Sequence, residues 1–557
     1  MTENKASIWL ALKNPDFRKY WLAALISGTC VAANNTAVFS LLGKLHESAL
    51  VISLMSTVSS LPFALFTLPA GALADIVDRK RMLCATNLWQ TSIALGLATL
   101  GFAHLLNPYI ILTSSFLFGL GFAFGAPASS SIEVGMVPKE HLASAGTLGG
   151  LKMNISGIIG PLLGGLLIPI VGTSYIFGAN ALGFLLLLSA ILTWKRPQQR
   201  KSIVPEHFFA TIIAAVRYVI YTPGMKVILT RLGLFSFFIS IIPSLMPVVG
   251  LKELHLDASK LGYLFTALAV GSVVAAVFLV PLARARFSPN KLIIYAYSLL
   301  VSDLFLMAFV RHPYVFLLVA ALGGAGWTLA ASELYIAGQR AMPEWARGRM
   351  SATTVMVGQA ATALGGVVWG TSAATAGVVH TFLVAGFLAI LAVVLTQVIL
   401  RKRFSVDFTT NLNLEPAAVT IFSRKWDPIR LSYAKENPVS VVTEFTFDSA
   451  HQNLCVELLR EVRLIYLRNG ARDWHLYEDY VQSARYQMEV TAPSWIEYQR
   501  LHERLTKDEK AVLDKLHDLH RDQDKPREFI RVSVNKSVIK RNREECLENT
   551  HDPRVEA

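Results

Sequence analysis

Apolar runs of spanning length alternate with short charged breaks from Tyr20 to Leu400, and then the alternation stops. About 20 residues of helix, rising 1.5 Å each, are needed to cross roughly 30 Å of hydrocarbon. The pattern therefore predicts twelve membrane spans, at residues 20–43, 49–73, 82–105, 109–132, 142–170, 173–194, 226–250, 259–283, 291–310, 313–336, 350–374 and 377–400. The longest break among them, residues 195–225, divides the spans six and six.

Beyond residue 403 the period changes. Residues 438–447 alternate as a strand, 449–469 carry helical periodicity, 473–480 and 485–492 are strand-like, 495–520 are helical and 528–534 alternate again. The order β-α-β-β-α-β predicts a ferredoxin-like α+β domain. The expected fold is an all-α polytopic membrane protein of twelve transmembrane helices in two six-helix halves, followed by that domain. Its divisions are a first half at 1–194, a connection at 195–225, a second half at 226–403, a linker at 404–434, the ferredoxin-like domain at 435–540 and a tail at 541–557.

Composition agrees that lipid is the solvent: 53% of the residues are hydrophobic and 16% charged over 557 positions. Net charge is +13, and all of the excess lies in the spanning part, where 29 Lys and Arg stand against 13 Asp and Glu up to residue 403, with 23 against 26 beyond it. Within the first 403 residues, 23 of the basic residues fall in breaks on one side of the twelve-span arrangement, and only Lys44, Lys252, Lys260 and Arg311 in breaks on the other. Basic residues concentrate in cytoplasmic loops, so both ends of the bundle and the soluble domain are expected in the cytoplasm. The basicity serves topology, and nucleic acid is not an expected partner. A weak internal echo, Pro69 with its charged turn and Pro281 with Arg284, Arg286 and Lys291, fits a duplicated transporter architecture. No cleavage site follows the first apolar run, so it reads as a span. The cysteines, Cys30, Cys84, Cys455 and Cys546, have neither disulfide nor metal spacing. No phosphate-binding G-x-x-x-x-G-K-[S/T] occurs, so direct ATP drive is not expected; no metal or cofactor is expected either.

Three groups of residues carry candidate chemistry. The stretch Gly71–Arg81, with Asp75, Asp78, Arg79 and Arg81, puts opposite charges in a short turn between two spans. A carboxylate at 75 facing the positive start of a helix near Ser351, or meeting Arg347 or Arg349, suits a gate; a solvated loop acid is the plainer alternative. Gly160, Pro161, Gly164 and Gly165 allow close helix packing. Ionisable side chains within spans are costly and tend to face a cavity or a partner. Lys152 and Asp303 lie near mid-span, with Glu133, Arg231 and Glu333 closer to the ends, and Asn34, Asn35, Asn154 and Asn180 add polar positions for a route. Structural ion pairing and interhelical hydrogen bonding are the competing readings.

With these residues in view, the chain resembles the major facilitator superfamily, and within it the branch that includes bacterial enterobactin-type siderophore exporters. Leu61-Pro62, Leu68-Pro69-Ala70 and Gly71–Arg81 are similar to that branch's second span and loop signature, with Asp78 where other branches usually carry Gly. Gly160–Gly165 resembles a span-five signature associated with exporters, and Met342–Arg349 the loop between spans ten and eleven. The branch often carries Arg where Gly157 stands, and Lys152 offers a charge nearby. Arg468–Leu476 and Trp495–Thr506 are similar to a soluble tail found in many members, and such domains often pair through their sheets. The resemblance implies a secondary transporter of the bacterial inner membrane exporting a small organic molecule such as a siderophore or drug, by proton antiport and alternating access, with a possible homodimer through the tail. Import of a small solute, or a membrane-anchored sensor or enzyme acting through the tail, are the alternatives. For the enzyme, His475, His502, Trp474 and Trp495 could form a pocket, but such residues are more often core packing or surface decoration and no nucleophile-base pair accompanies them.

Overall fold

The computed structural model describes residues 8–194, 208–222, 224–340, 342–399, 417, 437–448, 451–480, 485–520 and 526–532. Two compact units emerge, one holding residues 1–212, 227–340 and 349–408, the other 213–226, 341–348 and 409–557.

The first unit begins with α1 (Pro15–Lys44), α2 (Ala49–Ile76), α3 (Arg79–Phe102), α4 (Pro108–Gly135), α5 (Leu142–Val171) and α6 (Thr173–Thr193). After α7 (Phe208–Tyr221) come α8 (Met225–Ile239), α9 (Ile241–Val248), α10 (Ala258–Val274), α11 (Val280–Arg286), α12 (Pro289–Phe309), α13 (Pro313–Arg340), α14 (Glu344–Ala376) and α15 (Val378–Val393). Among the described residues, 11 helical stretches are long and apolar enough to cross a membrane. The 24-residue α3 is of spanning length too, and the buried Asn87, Gln90 and Thr91 lower its apolarity. Side chains cap several starts: Asn14 opens α1, Ser48 α2, Asn107 α4 and Asp257 α10, each satisfying an amide that helix geometry leaves bare.

Two expected spans are interrupted. The seventh breaks at Ser240 between α8 and α9, because Pro243 has no N–H for the carbonyl four residues back and its ring crowds that carbonyl. It ends in a π-helical turn, Val249–Glu253. The eighth passes through a π turn at Ala275–Leu279 just before Pro281 and the short α11. The connection between the halves is also more ordered than a plain linker, since α7 occupies residues 208–221 of it.

The two halves of the bundle meet closely along α5 and α10, and along α2 with α9 and α14. Ser259 Oγ of α10 donates to the Gly165 carbonyl at 3.1 Å, Thr266 Oγ1 to the Ile158 carbonyl at 3.3 Å, and Thr57 Oγ1 of α2 to the Ala363 carbonyl of α14 at 2.9 Å. Phe39 and Phe265 add a ring contact at 5.4 Å. These contacts involve the later part of α5 and the early parts of α2 and α10, towards the end of the bundle opposite the α2–α3 turn.

The second unit is built on the antiparallel sheet β2-β3-β1-β4, from β1 (Val439–Thr446), β2 (Asp473–Glu478), β3 (Arg485–Ala492) and β4 (Arg527–Val532). Val441 pairs with Val490 on one side and Ile530 on the other. That face packs on α16 (Gln452–Asn469) and α17 (Trp495–Glu503), burying Val439, Phe445, Leu459, Val462, Met488 and Leu501. The expected β-α-β-β-α-β order is present, with one difference. The helix expected over 495–520 divides into α17 and α18 (Lys507–Asp518), because Thr506 and Glu509 form a reciprocal cap that starts a new helix. Residues 213–222 belong to this unit: Tyr221 packs against its core, and Arg217 Nη1 donates to the Gly470 carbonyl at 2.8 Å. Gly470 has φ +134°, a backbone shape that favours glycine.

Candidate functional site

The charged turn is shorter than its sequence suggests. α2 continues to Ile76, so Asp75 lies in its last helical turn, and only Val77 and Asp78 separate α2 from α3. The Asp78 carboxylate accepts from the Arg81 amide at 2.9 Å and caps α3, a contact worth about 1 kcal/mol. Arg79 Nε donates to the Ala74 carbonyl at 3.4 Å, and Lys80 Nζ donates to the Leu192 and Trp194 carbonyls at the end of α6. Arg81 is exposed, and a Cβ added at Gly71 would meet nothing within 4 Å. The helix expected to begin near Ser351 starts at Glu344, which puts Arg347 and Arg349 within its first turns. The side chains of Asp75, Arg347 and Arg349 lie outside the described residues, so the gate expected from them has no described geometry.

The span-five glycines are packing surfaces facing two ways. Gly160 and Gly164 abut the backbone of α1 at Thr29 and Ala33, while Gly165 faces Ala258, Ser259 and Gly262 of α10, all close enough to leave no room for a side chain without movement. Gly262 was not singled out by the sequence, and a lone glycine within an apolar run was its only signal. A Cβ there would lie 2.5 Å from the Pro161 carbonyl oxygen and 2.8 Å from Gly165 Cα.

The ionisable groups sort into separate clusters. Lys152 Nζ pairs with Glu133 Oε1 at 2.7 Å and lies 5.6 Å from the centre of the Tyr20 ring, whose hydroxyl meets Ser129 at 2.8 Å. Glu133 stands in the last turn of α4, so the ammonium lies level with a helix end, shallower than its Cα position suggests. Helical side chains lean towards their own N-terminus, which for Lys152 is that same end. Glu333 is buried and paired with Arg284 at 2.6 Å, joining α13 to α11. Asp303 is different: it is fully buried against Gly323 of α13, and neither carboxylate oxygen has a hydrogen-bond partner among the described residues. Lys152 and Asp303 are not brought together. Asn34 and Asn180 are buried, each with an unpaired side-chain oxygen among the described residues, while Asn35 and Asn154 are exposed on their helices. Arg231, buried in α8, reaches Asn290 Oδ1 at 2.8 Å.

In the second unit the residues weighed for catalysis do not converge. His475 lies on the outer face of β2 beside Tyr477, in register with Glu489, whereas His502 is buried under the sheet against Tyr498 and Tyr466. Burial lowers the His502 pKa, and its ring nitrogen Nδ1 lies 3.0 Å from the Tyr498 carbonyl. No group of three or more His, Cys, Asp or Glu able to hold a metal occurs among the described residues.

Residues 6–538 match the family described as transmembrane secretion effector (MFS_3), a match that spans the bundle and continues through the soluble domain. The chain belongs to this family. It is a multi-pass transporter of the major facilitator superfamily, in the enterobactin-exporter-like branch. It is 28% identical over 352 residues to the enterobactin exporter EntS of Citrobacter koseri, covering 61% of this chain and 80% of that protein. To EntS of Shigella boydii serotype 4 it is 27% identical over 405 residues, covering 70% and 93%. Among solved structures, a POT family transporter in complex with 5-aminolevulinic acid superposes with a TM-score of 0.57 at 13% identity, covering 70% of this chain and 96% of that one. The nucleoside transporter NupG gives 0.57 at 9%, covering 70% and 100%. At such identities the likeness speaks for the fold. The family's transporters act on small molecules from within a lipid bilayer, and both are partners here.

Proposed function

We propose that the protein exports a small organic molecule of the siderophore or drug type across the bacterial inner membrane, by alternating access and in exchange for protons. The observation that carries the reading is the seam between the halves. α5 and α10 interlock through Gly165, Gly262 and Ser259, so the bundle is shut at the end away from the basic loops. If those loops are cytoplasmic, a substrate would load from the cytoplasm, as export requires. The enterobactin exporters it resembles supply the substrate class.

Asp303 is the proposed proton carrier. A charged carboxylate buried without partners costs several kcal/mol, so this side chain suits the neutral acid in the closed arrangement and would release its proton only when the surrounding helices separate. In proteoliposomes, Asp303→Asn should slow gradient-driven efflux at least tenfold while leaving downhill exchange within about twofold. Equal loss of both, or of neither, would remove Asp303 from the coupling.

A further inference from the structure

A cavity of about 580 Å³ lies beneath the α2–α3 turn, where the start of α3 meets the ends of α4 and α6 and the approach to α5. Arg79, Lys80 and Lys139 line it together with Ser130 and Ser131, and Leu142 and Trp194 are among its apolar lining residues. No carboxylate is among the lining residues. The nearby acids are engaged or turned elsewhere: Asp78 caps α3, Glu133 is paired with Lys152, and Glu140 is exposed to solvent; the side chain of Asp75 lies outside the described residues. Lys80 uses two of its three N–H groups on carbonyls of the α6 end and keeps the third. The Lys139 side chain has no hydrogen-bond or ion partner among the described residues.

Three cations around one concavity, beside an apolar wall and at the end of the bundle that carries the basic loops, are the chemistry that receives a phosphate ester with a hydrocarbon attached. We propose that this cavity binds the phosphate of an anionic phospholipid headgroup, linking the α2–α3 turn to the ends of α4 and α6. A soluble phosphate would satisfy the same cations but leave Leu142 and Trp194 unused. Lys139 and Lys80 would donate to the phosphate oxygens, and Arg79 would add to the field. The site lies within one unit of the protein and its binding does not depend on the transport reading.

The test uses the full chain in nanodiscs of phosphatidylcholine, with phosphatidylglycerol titrated in and bound lipid counted by native mass spectrometry. Phosphatidylglycerol should bind saturably in preference to phosphatidylcholine, and Lys139→Gln should weaken that binding about fivefold. Lys13→Gln, which removes an exposed lysine outside the cavity, should leave it unchanged. Inorganic phosphate at millimolar concentration, added to the phosphatidylcholine discs, separates the sources. Phosphate that binds, is weakened by Lys139→Gln and displaces phosphatidylglycerol would keep the anion site and assign it to a free phosphate. Equal binding of the two lipids with no phosphate bound, or equal effects of Lys139→Gln and Lys13→Gln, would overturn the proposal.

Discussion

At Gly262 a single hydrogen atom separates α10 from α5. A Cβ there would overlap the Pro161 carbonyl oxygen and Gly165 Cα, both backbone atoms without a rotamer to yield. Gly262→Ala should therefore part the two helices, and a cysteine placed at Ser259 should react several-fold faster with a membrane-impermeant maleimide. An unchanged labelling rate would mean that the seam absorbs the methyl group. A second residue, Glu528 of β4, shows the cost of a half-buried acid. Burial pushes its pKa up from 4.5 to about 7, so the folded domain disfavours the charged form. Its contribution to stability is intact below about pH 4.5 and is lost as pH rises through 7. Glu528→Gln should flatten that dependence and stabilise the domain at pH 8 by about 1–2 kcal/mol, allowing for the part of the side chain that remains wet. Melting of β4 followed by hydrogen exchange at pH 5 and pH 8 measures it, and identical slopes in both proteins would count against the assignment.

At the scale of elements, the least anticipated feature is α7. Residues 213–222 lie in the connection between the halves, yet they pack in the same unit as the ferredoxin-like sheet, through Tyr221 and the Arg217–Gly470 hydrogen bond. Residues 213–222 are thus part of the fold of the soluble unit, although they lie far from it in the sequence. Arg217→Ala removes a charge-assisted bond worth about 1.5–3 kcal/mol. Amides of residues 213–222 in the full chain should then exchange at least tenfold faster, with the β1–β3 amides unaffected. Exchange unchanged in α7 would show that the bond does not hold the helix.

For the whole molecule, orientation follows from charge. The basic residues concentrate in loops on one side of the bundle, the side expected to stay in the cytoplasm. Alkaline phosphatase fused after residue 403 should be inactive in cells, and full activity there would invert the arrangement and with it the direction of loading proposed above.

The spans and the order of elements in the soluble domain were legible in the chain because each rests on local rules. A membrane helix must satisfy all its backbone polar groups internally over about 20 apolar residues, and an alternating strand shows its faces without reference to a partner. The breaks at Ser240 and Thr506 were local too, but the apolar or amphipathic pattern around them masked the prolines and the capping box. Tertiary structure alone decided the rest. Lys152 with Glu133, Glu333 with Arg284, Gly165 with Gly262 and Arg217 with Gly470 bring together residues 19, 49, 97 and 253 positions apart, and no periodicity records which helix faces meet. Asp303 looked like Lys152 in the sequence, an ionisable group in an apolar run. Packing paired the lysine near a helix end and left the acid enclosed without a partner among the described residues, because the neighbours of a buried charge are set by the helices that close around it.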